Sequence, residues 1–357
     1  MLTVFVLFPS QVRAQLSDHS REQSEFKQDD QKDSTQALQA DRPMTAEEVM
    51  EMLKERAREK LKGERHKLLL KTNWSSGLAF KFDTNPASDA LQKGDQSLDK
   101  TFSFDWTPEF NSYFSGDLGY YLVDTDYAEQ RAFNSINHSL TGKLKYYPSK
   151  SKRYFIEPGI GYEWNIYDFD TSSDYEQNKA FIGLTHYLTN VWSWGSKYEY
   201  SYKQYDKQAA RNTGASNLNF HRADTRKNIE VWAKRSFGKL SVKLKEKSYR
   251  NKSNDEYQDY NEYDSHRGYI IFSGAPFKDG KMYFNFTSDY EIKTYSERAA
   301  QGTARWDRGI EYKLSGDYPL NKTLSLNTSV TYKKNNSNEA TGVYKNVTSQ
   351  LGLTASF

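Results

Sequence analysis

The chain has 357 residues, with 50 Lys and Arg against 47 Asp and Glu, and no cysteine. A disulfide framework, a thiolate metal site and a cysteine nucleophile are excluded, and a formal charge of +3 is too small and too evenly mixed for a nucleic-acid-binding protein. Hydrophobic residues make up only 36% of the chain, yet 15% is aromatic, so it is neither a disordered chain, which lacks rings, nor an ordinary aliphatic core.

Residues 2–8 (LTVFVLF) are an apolar run, followed by Pro9, Ser10 and Val12-Arg13-Ala14. Residues 1–14 therefore read as a secretory signal peptide with its charged n-region truncated; the run is too short to span a bilayer. Residues 15–43 are rich in Ser, Gln, Asp, Glu and Lys, and are expected to form a disordered periplasmic tether.

Over 44–66 the period becomes helical. Thr45 and Glu48 form a capping box, and Glu47, Glu48 and Glu51 precede Arg56, Arg58, Lys60 and Lys62, an order that suits the helix dipole. Val49, Leu53, Ala57 and Leu61 recur every four residues, giving a stripe too narrow for a core. It fits either a helix packed on the mouth or lumen of the domain that follows, or a docking helix for a periplasmic protein partner.

Over 67–357 the alternation has a period of two. Between Trp192 and Tyr202, Trp192, Trp194, Tyr198, Tyr200 and Tyr202 share one face, while Ser193, Gly195, Lys197, Glu199 and Ser201 share the other. The alternating runs are about 10 to 14 residues, longer than usual sandwich strands and close to what a tilted strand needs to cross a bilayer. Aromatics gather at run ends: Phe110, Tyr113, Tyr146, Tyr147, Tyr154, Trp192, Phe237, Tyr283 and Tyr318 near one set of turns, and Tyr120, Tyr162, Trp164, Tyr202, Tyr249, Tyr290 and Trp306 toward the other end. Two such girdles belong to a lipid-facing barrel.

Tight turns near 108–111, 148–152, 189–190, 238–239, 277–281 and 319–322 alternate with polar loops near 83–97, 123–134, 168–178, 204–223, 250–265, 293–303 and 335–341. Together they join about 14 strands, an even number with both ends periplasmic, and closure leaves no edge unpaired. The expected fold is all-β: a transmembrane antiparallel up-and-down β-barrel of about 14 strands with a short N-terminal α-helix.

The inward face is expected to carry Lys197, Glu199, Glu230, Lys234, Lys243, Lys245, Lys247, Asp289, Glu291, Asp307, Glu311 and Lys313, with few aromatics, Phe155, Trp232 and Tyr283 among them. This mixture reads either as a self-neutralising hydrated lumen or as a basic stripe that guides an anionic solute or polysaccharide. The acids of 250–265 lack the ordered spacing and central Gly of an EF-hand, so no metal or cofactor is assigned. His138 and Ser139 are adjacent and so point to opposite faces, and the remaining His residues form no triad pattern; no catalytic residue is assigned.

The ending Val347–Phe357 (VTSQLGLTASF), apolar at alternate positions up to Phe357, resembles the C-terminal strand signature of bacterial outer-membrane β-barrel proteins. The stretch Arg308–Tyr332 is similar to the closing hairpins of barrels of this class, including some that accompany surface polysaccharide or lipoprotein export. The resemblance implies the bacterial outer membrane, its lipid, and the barrel assembly machinery, to which the segment ending in Phe357 would be the signal. The function expected is a pore or export conduit with the helix as plug or docking element. The alternative is a structural barrel with a blocked lumen that anchors a periplasmic or cell-envelope complex. No enzyme activity is expected.

Overall fold

A computed structural model describes Glu55 and residues 72–357, apart from 89–92, 169–172, 213, 215, 258–260, 278–280 and 301–302. The expected signal, tether and helix lie outside the described residues, except for Glu55. Fourteen strands follow one another: β1 (Thr72–Asp83), β2 (Asp95–Trp106), β3 (Phe114–Tyr127), β4 (Ser135–Tyr146), β5 (Tyr154–Tyr167), β6 (Tyr175–Tyr187), β7 (Trp192–Arg211), β8 (Asn217–Phe237), β9 (Leu240–Ser253), β10 (Tyr263–Gly274), β11 (Tyr283–Ala300), β12 (Thr303–Pro319), β13 (Leu324–Ser337) and β14 (Tyr344–Ser356). Each pairs antiparallel with its neighbour in sequence, and β14 returns to β1 from Ser75↔Ser356 to Asp83↔Thr348, closing the barrel. Beyond that register, Trp74 and Phe357 exchange backbone hydrogen bonds of 3.1 and 2.8 Å, which extends the seam to the chain end. Strands about 4.8 Å apart and tilted about 40° make a backbone cylinder roughly 28 Å across, more than side chains alone fill.

Period-two alternation decides which groups face out. On β1, Trp74, Leu78, Phe80 and Phe82 are exposed, Phe80 by 72%, while Gly77 and Asp83, of the opposite parity, are buried. The same parity runs round the ring through Leu140, Ile160, Ile182, Tyr198, Ile229, Leu244, Ile270, Leu314, Val330 and Leu351. So large a contiguous apolar surface is not compatible with water and needs hydrocarbon against it. The buried groups are mostly polar or phenolic, among them Asp289, Arg267, Asn228, Tyr205 and Tyr263. A closed antiparallel barrel with apolar groups outside and polar groups inside is the architecture of bacterial outer-membrane proteins, and the outer membrane is where this surface is stable.

The two ends are built differently. At the turn end, Asn111 Oδ1 accepts from the backbone N–H of Tyr113 and Phe114, and Asn321 Oδ1 does the same for Thr323 and Leu324. Gly238 adopts φ +59° in the two-residue connection of β8 to β9, a conformation that only glycine takes without strain. At the loop end, Asn134, Asp174, Asn254 and Asn338 each accept from the backbone N–H of a strand residue, Tyr127, Tyr167, Ala223 and Trp306. These side-chain oxygens extend the ladder where the partner strand has ended.

Two expected loops are corrected. Within 204–223, β7 continues to Arg211 and β8 starts at Asn217; within 293–303, β11 reaches Ala300 and β12 starts at Thr303. The pairing resumes after register shifts, as Ala209↔His221 and Ala299↔Ala304. Above the membrane both faces of a strand can be polar, so loss of apolar alternation does not mark its end.

Candidate functional site

Lys197, Glu199, Glu230, Lys234, Lys243, Lys245, Lys247, Asp289, Glu291, Asp307, Glu311 and Lys313 all stand at strand positions opposite in parity to the exposed apolar residues, and so line the lumen. Their surroundings divide them into two groups.

On β10–β12 the acids are neutralised in place. Arg267 donates to both oxygens of Asp289 at 3.0 and 2.8 Å and lies 3.5 Å from Glu311. Glu291 accepts from Tyr249 and Ser265 at 2.6 and 2.8 Å and lies 3.5 Å from Lys293. Asp307 is held by Arg305 at 3.1 and 2.9 Å and by Tyr295 at 3.0 Å.

On β7–β9 the inner wall holds more cations than acids. Lys197 pairs with Glu199 at 2.6 Å, Lys245 with Glu230 at 3.6 Å, and Arg222 with Asp224 at 2.6 Å. Among the described residues, Lys203, Arg226, Lys234, Lys243 and Lys247 have no carboxylate within ion-pairing distance. Four of them lie over rings instead: Lys203 is 3.4 Å from the Tyr175 centroid, Lys243 4.5 Å from Trp232, Arg226 4.7 Å and Lys247 5.5 Å from Tyr249. A ring face attracts a cation without cancelling its charge, so the wall keeps its positive field. Seven places round the ring, the wall of β14, β1 and β2 carries small and hydroxyl groups such as Thr348, Gly352, Gly77, Thr101 and Ser103, together with Lys81 and the acids Asp83, Asp95, Asp99 and Asp105. The lumen thus has a cationic, aromatic wall facing one on which acids outnumber cations, a charge distribution that acts on whatever solute passes between them.

The expectation of few lumen aromatics is corrected. Tyr175, Tyr205, Tyr249, Tyr263, Tyr269 and Tyr295 all line the interior, with Tyr175–Tyr205 and Tyr263–Tyr295 centroids at 6.1 and 5.3 Å. Tyr249 and Tyr283, expected in the girdles, therefore belong inside. The signal was parity: Tyr249 is two residues past Lys247, and Tyr205 two past Lys203. Larger rings fit where a glycine across the ladder clears space. Trp232 lies against Gly195, where a Cβ would come within 2.6 Å of its ring, and Phe181 covers Gly159 in the same way.

Other candidates resolve locally. Asp255 is fully buried and held by Arg211 at 3.1 and 2.7 Å, and among the described residues no three potential metal-ligating side chains group together. His138 faces outward, stacked on Trp164 at 4.3 Å and bonded to Tyr120 at 2.8 Å. Ser248 and His266, opposite each other on the outer face, share a 2.9 Å hydrogen bond, but no carboxylate among the described residues orients the imidazole.

No protein-family model matches the chain, and no curated protein matches its sequence. Among solved structures, OmpT, an outer membrane protein of Vibrio cholerae, is similar at 8% identity and a TM-score of 0.45, over 80% of this chain and 97% of that one. The CymD monoaromatic hydrocarbon channel is similar at 8% identity and a TM-score of 0.45, over 80% and 88% of the two chains. An anion-selective porin from Comamonas acidovorans is similar at 10% identity and a TM-score of 0.41, over 80% and 98%.

Proposed function

We propose that the barrel is an outer-membrane pore or export conduit that favours anionic solutes. The observation that carries this reading is the excess of inner-wall cations on β7–β9, Lys203, Arg226, Lys234, Lys243 and Lys247, none of which has a carboxylate partner among the described residues. In a narrow, low-dielectric channel such a wall raises the local concentration of anions and lowers that of cations. The segment 44–66, with its Val49, Leu53, Ala57 and Leu61 stripe, is the proposed plug of this pore or its docking element for a periplasmic partner. The segment ending in Phe357, whose side chain is 76% exposed on the outer face, is the proposed signal to the barrel assembly machinery.

Planar-bilayer recording across a KCl gradient tests the reading. The expected reversal potential has the sign of chloride preference, and Lys234→Gln/Lys243→Gln/Lys247→Gln moves it toward zero. Deleting residues 16–66 is expected to raise conductance if the segment plugs the lumen. Absence of current both with and without residues 16–66 would overturn the pore.

A further inference from the structure

Cations also occur on the outside of the barrel, where lipid rather than solute meets them. Lys334 on β13 and Lys345 on β14 are directly opposite each other in the ladder, and both have outward parity, since Lys334 also pairs with Ile310. Arg308 on β12 has the same parity, one diagonal step away, with its guanidinium 4.8 Å from the Trp306 ring. Like charges directly opposite on one face, with Cβ atoms about 5 Å apart, destabilise a sheet unless something neutralises them.

At two other places on the outer face the protein supplies a neutralising group. Lys100 is held by Asp124 and Asp126 at 2.9 and 2.7 Å. Arg250, opposite Lys227, is held by Glu262 at 3.1 Å and lies 3.8 Å from Asp264. For Arg308, Lys334 and Lys345 no carboxylate is within ion-pairing distance among the described residues; the nearby Asp307 faces inward, and Asp307 and Glu339 are both engaged by Arg305.

The position of this cluster fixes the chemistry of its missing partner. It sits at the loop end of β12–β14, the external side of a barrel whose short turns lie, with the start of β1 and the end of β14, at the other end. Directly toward the membrane from it, Tyr312 and Tyr332 stack at 6.4 Å, and Leu314, Val330 and Leu351 continue as an exposed apolar strip. Rings at headgroup depth with cations above and aliphatic groups below match an anionic headgroup with its acyl chains attached.

We propose that Arg308, Lys334 and Lys345 form a binding site for the phosphorylated headgroup of a lipid in the external leaflet, the phosphate lying between the three cations and the acyl chains along Leu314, Val330 and Leu351. The site is on the outer face and is independent of whether the lumen conducts.

The test uses the full chain folded in dodecyl maltoside micelles, with bisphosphorylated lipid A as the probe. Affinity is read by native mass spectrometry and by the lipid-dependent rise in unfolding temperature. Arg308→Gln/Lys334→Gln/Lys345→Gln is expected to weaken binding about 100-fold, roughly fivefold per cation removed at a membrane surface. Lys227→Gln, on another outer face, is expected to leave binding unchanged. Folding of the triple variant is checked by its heat-modifiable electrophoretic shift, and if it does not fold, Lys345→Gln alone is expected to weaken binding about fivefold. Equal affinity of the folded variants and the parent would overturn the site. Loss of the headgroup phosphates from the probe is expected to abolish the difference between parent and variant. Displacement of the lipid by millimolar inorganic pyrophosphate, with pyrophosphate alone giving the same thermal shift, would overturn the lipid assignment.

Discussion

Arg267 holds two carboxylates on neighbouring strands, Asp289 through two hydrogen bonds and Glu311 at 3.5 Å, and its side chain is only 10% exposed. An ion cluster so enclosed adds little net stability when complete, but removing its one cation leaves two nearby anions uncompensated. Arg267→Met is therefore expected to destabilise the barrel by about 3 kcal/mol in urea unfolding followed by Trp fluorescence, with partial recovery in Arg267→Met/Asp289→Asn. Recovery is the diagnostic outcome, because a loss of packing alone would not be relieved by neutralising Asp289. At this scale the sequence was legible only in part. Parity identified Asp289, Glu291 and Glu311 as inward, but which cation serves which acid depends on register between β9, β10, β11 and β12, and one residue of slip would exchange the partners.

Elements are held by small residues at the seam and by polar side chains at the ends. β14 and β1 approach closely where Gly352 faces Ala79: a Cβ at Gly352 would lie 2.7 Å from the Ala79 Cβ and 2.9 Å from the Leu78 carbonyl oxygen. Gly352→Leu is expected to cost about 2 kcal/mol or more by overpacking, read as a lower unfolding temperature of the heat-modifiable folded band. Gly268→Ala is the matched control, since a Cβ there meets nothing within 4 Å, and it is expected to stay within about 0.5 kcal/mol of the parent. The strand count and the alternation of turns with loops were readable because each membrane crossing must repeat the same apolar period. The outer ends of β7, β8, β11 and β12 were not, because nothing above the membrane enforces an apolar face.

For the whole molecule, the near-neutral total of 50 cationic and 47 acidic residues conceals a segregation of charge between walls. The proposed anion preference arises from an unpaired cation field, so it is expected to weaken as ionic strength rises. Screening length falls from about 10 Å at 0.1 M to about 3 Å at 1 M, which takes it from comparable with the lumen to far below it. Reversal potentials measured at a fixed KCl ratio but rising absolute concentration should therefore approach zero; a preference independent of salt would point to a steric origin instead.

The sequence by itself determined the class: low mean hydropathy with many rings, long period-two runs, and short and long connections in alternation admit a lipid-facing antiparallel barrel and little else. It also determined which face each charged residue takes, because parity along a strand is a local property. Only the tertiary structure decided which charges cancel. Pairing across strands brings Arg267 to Asp289 and Arg305 to Asp307, while Lys243, Lys247, Lys334 and Lys345 are left without a carboxylate among the described residues. Neutralisation is a matter of a few ångströms between residues distant in sequence, and those distances are set by register and closure, to which composition and periodicity are blind.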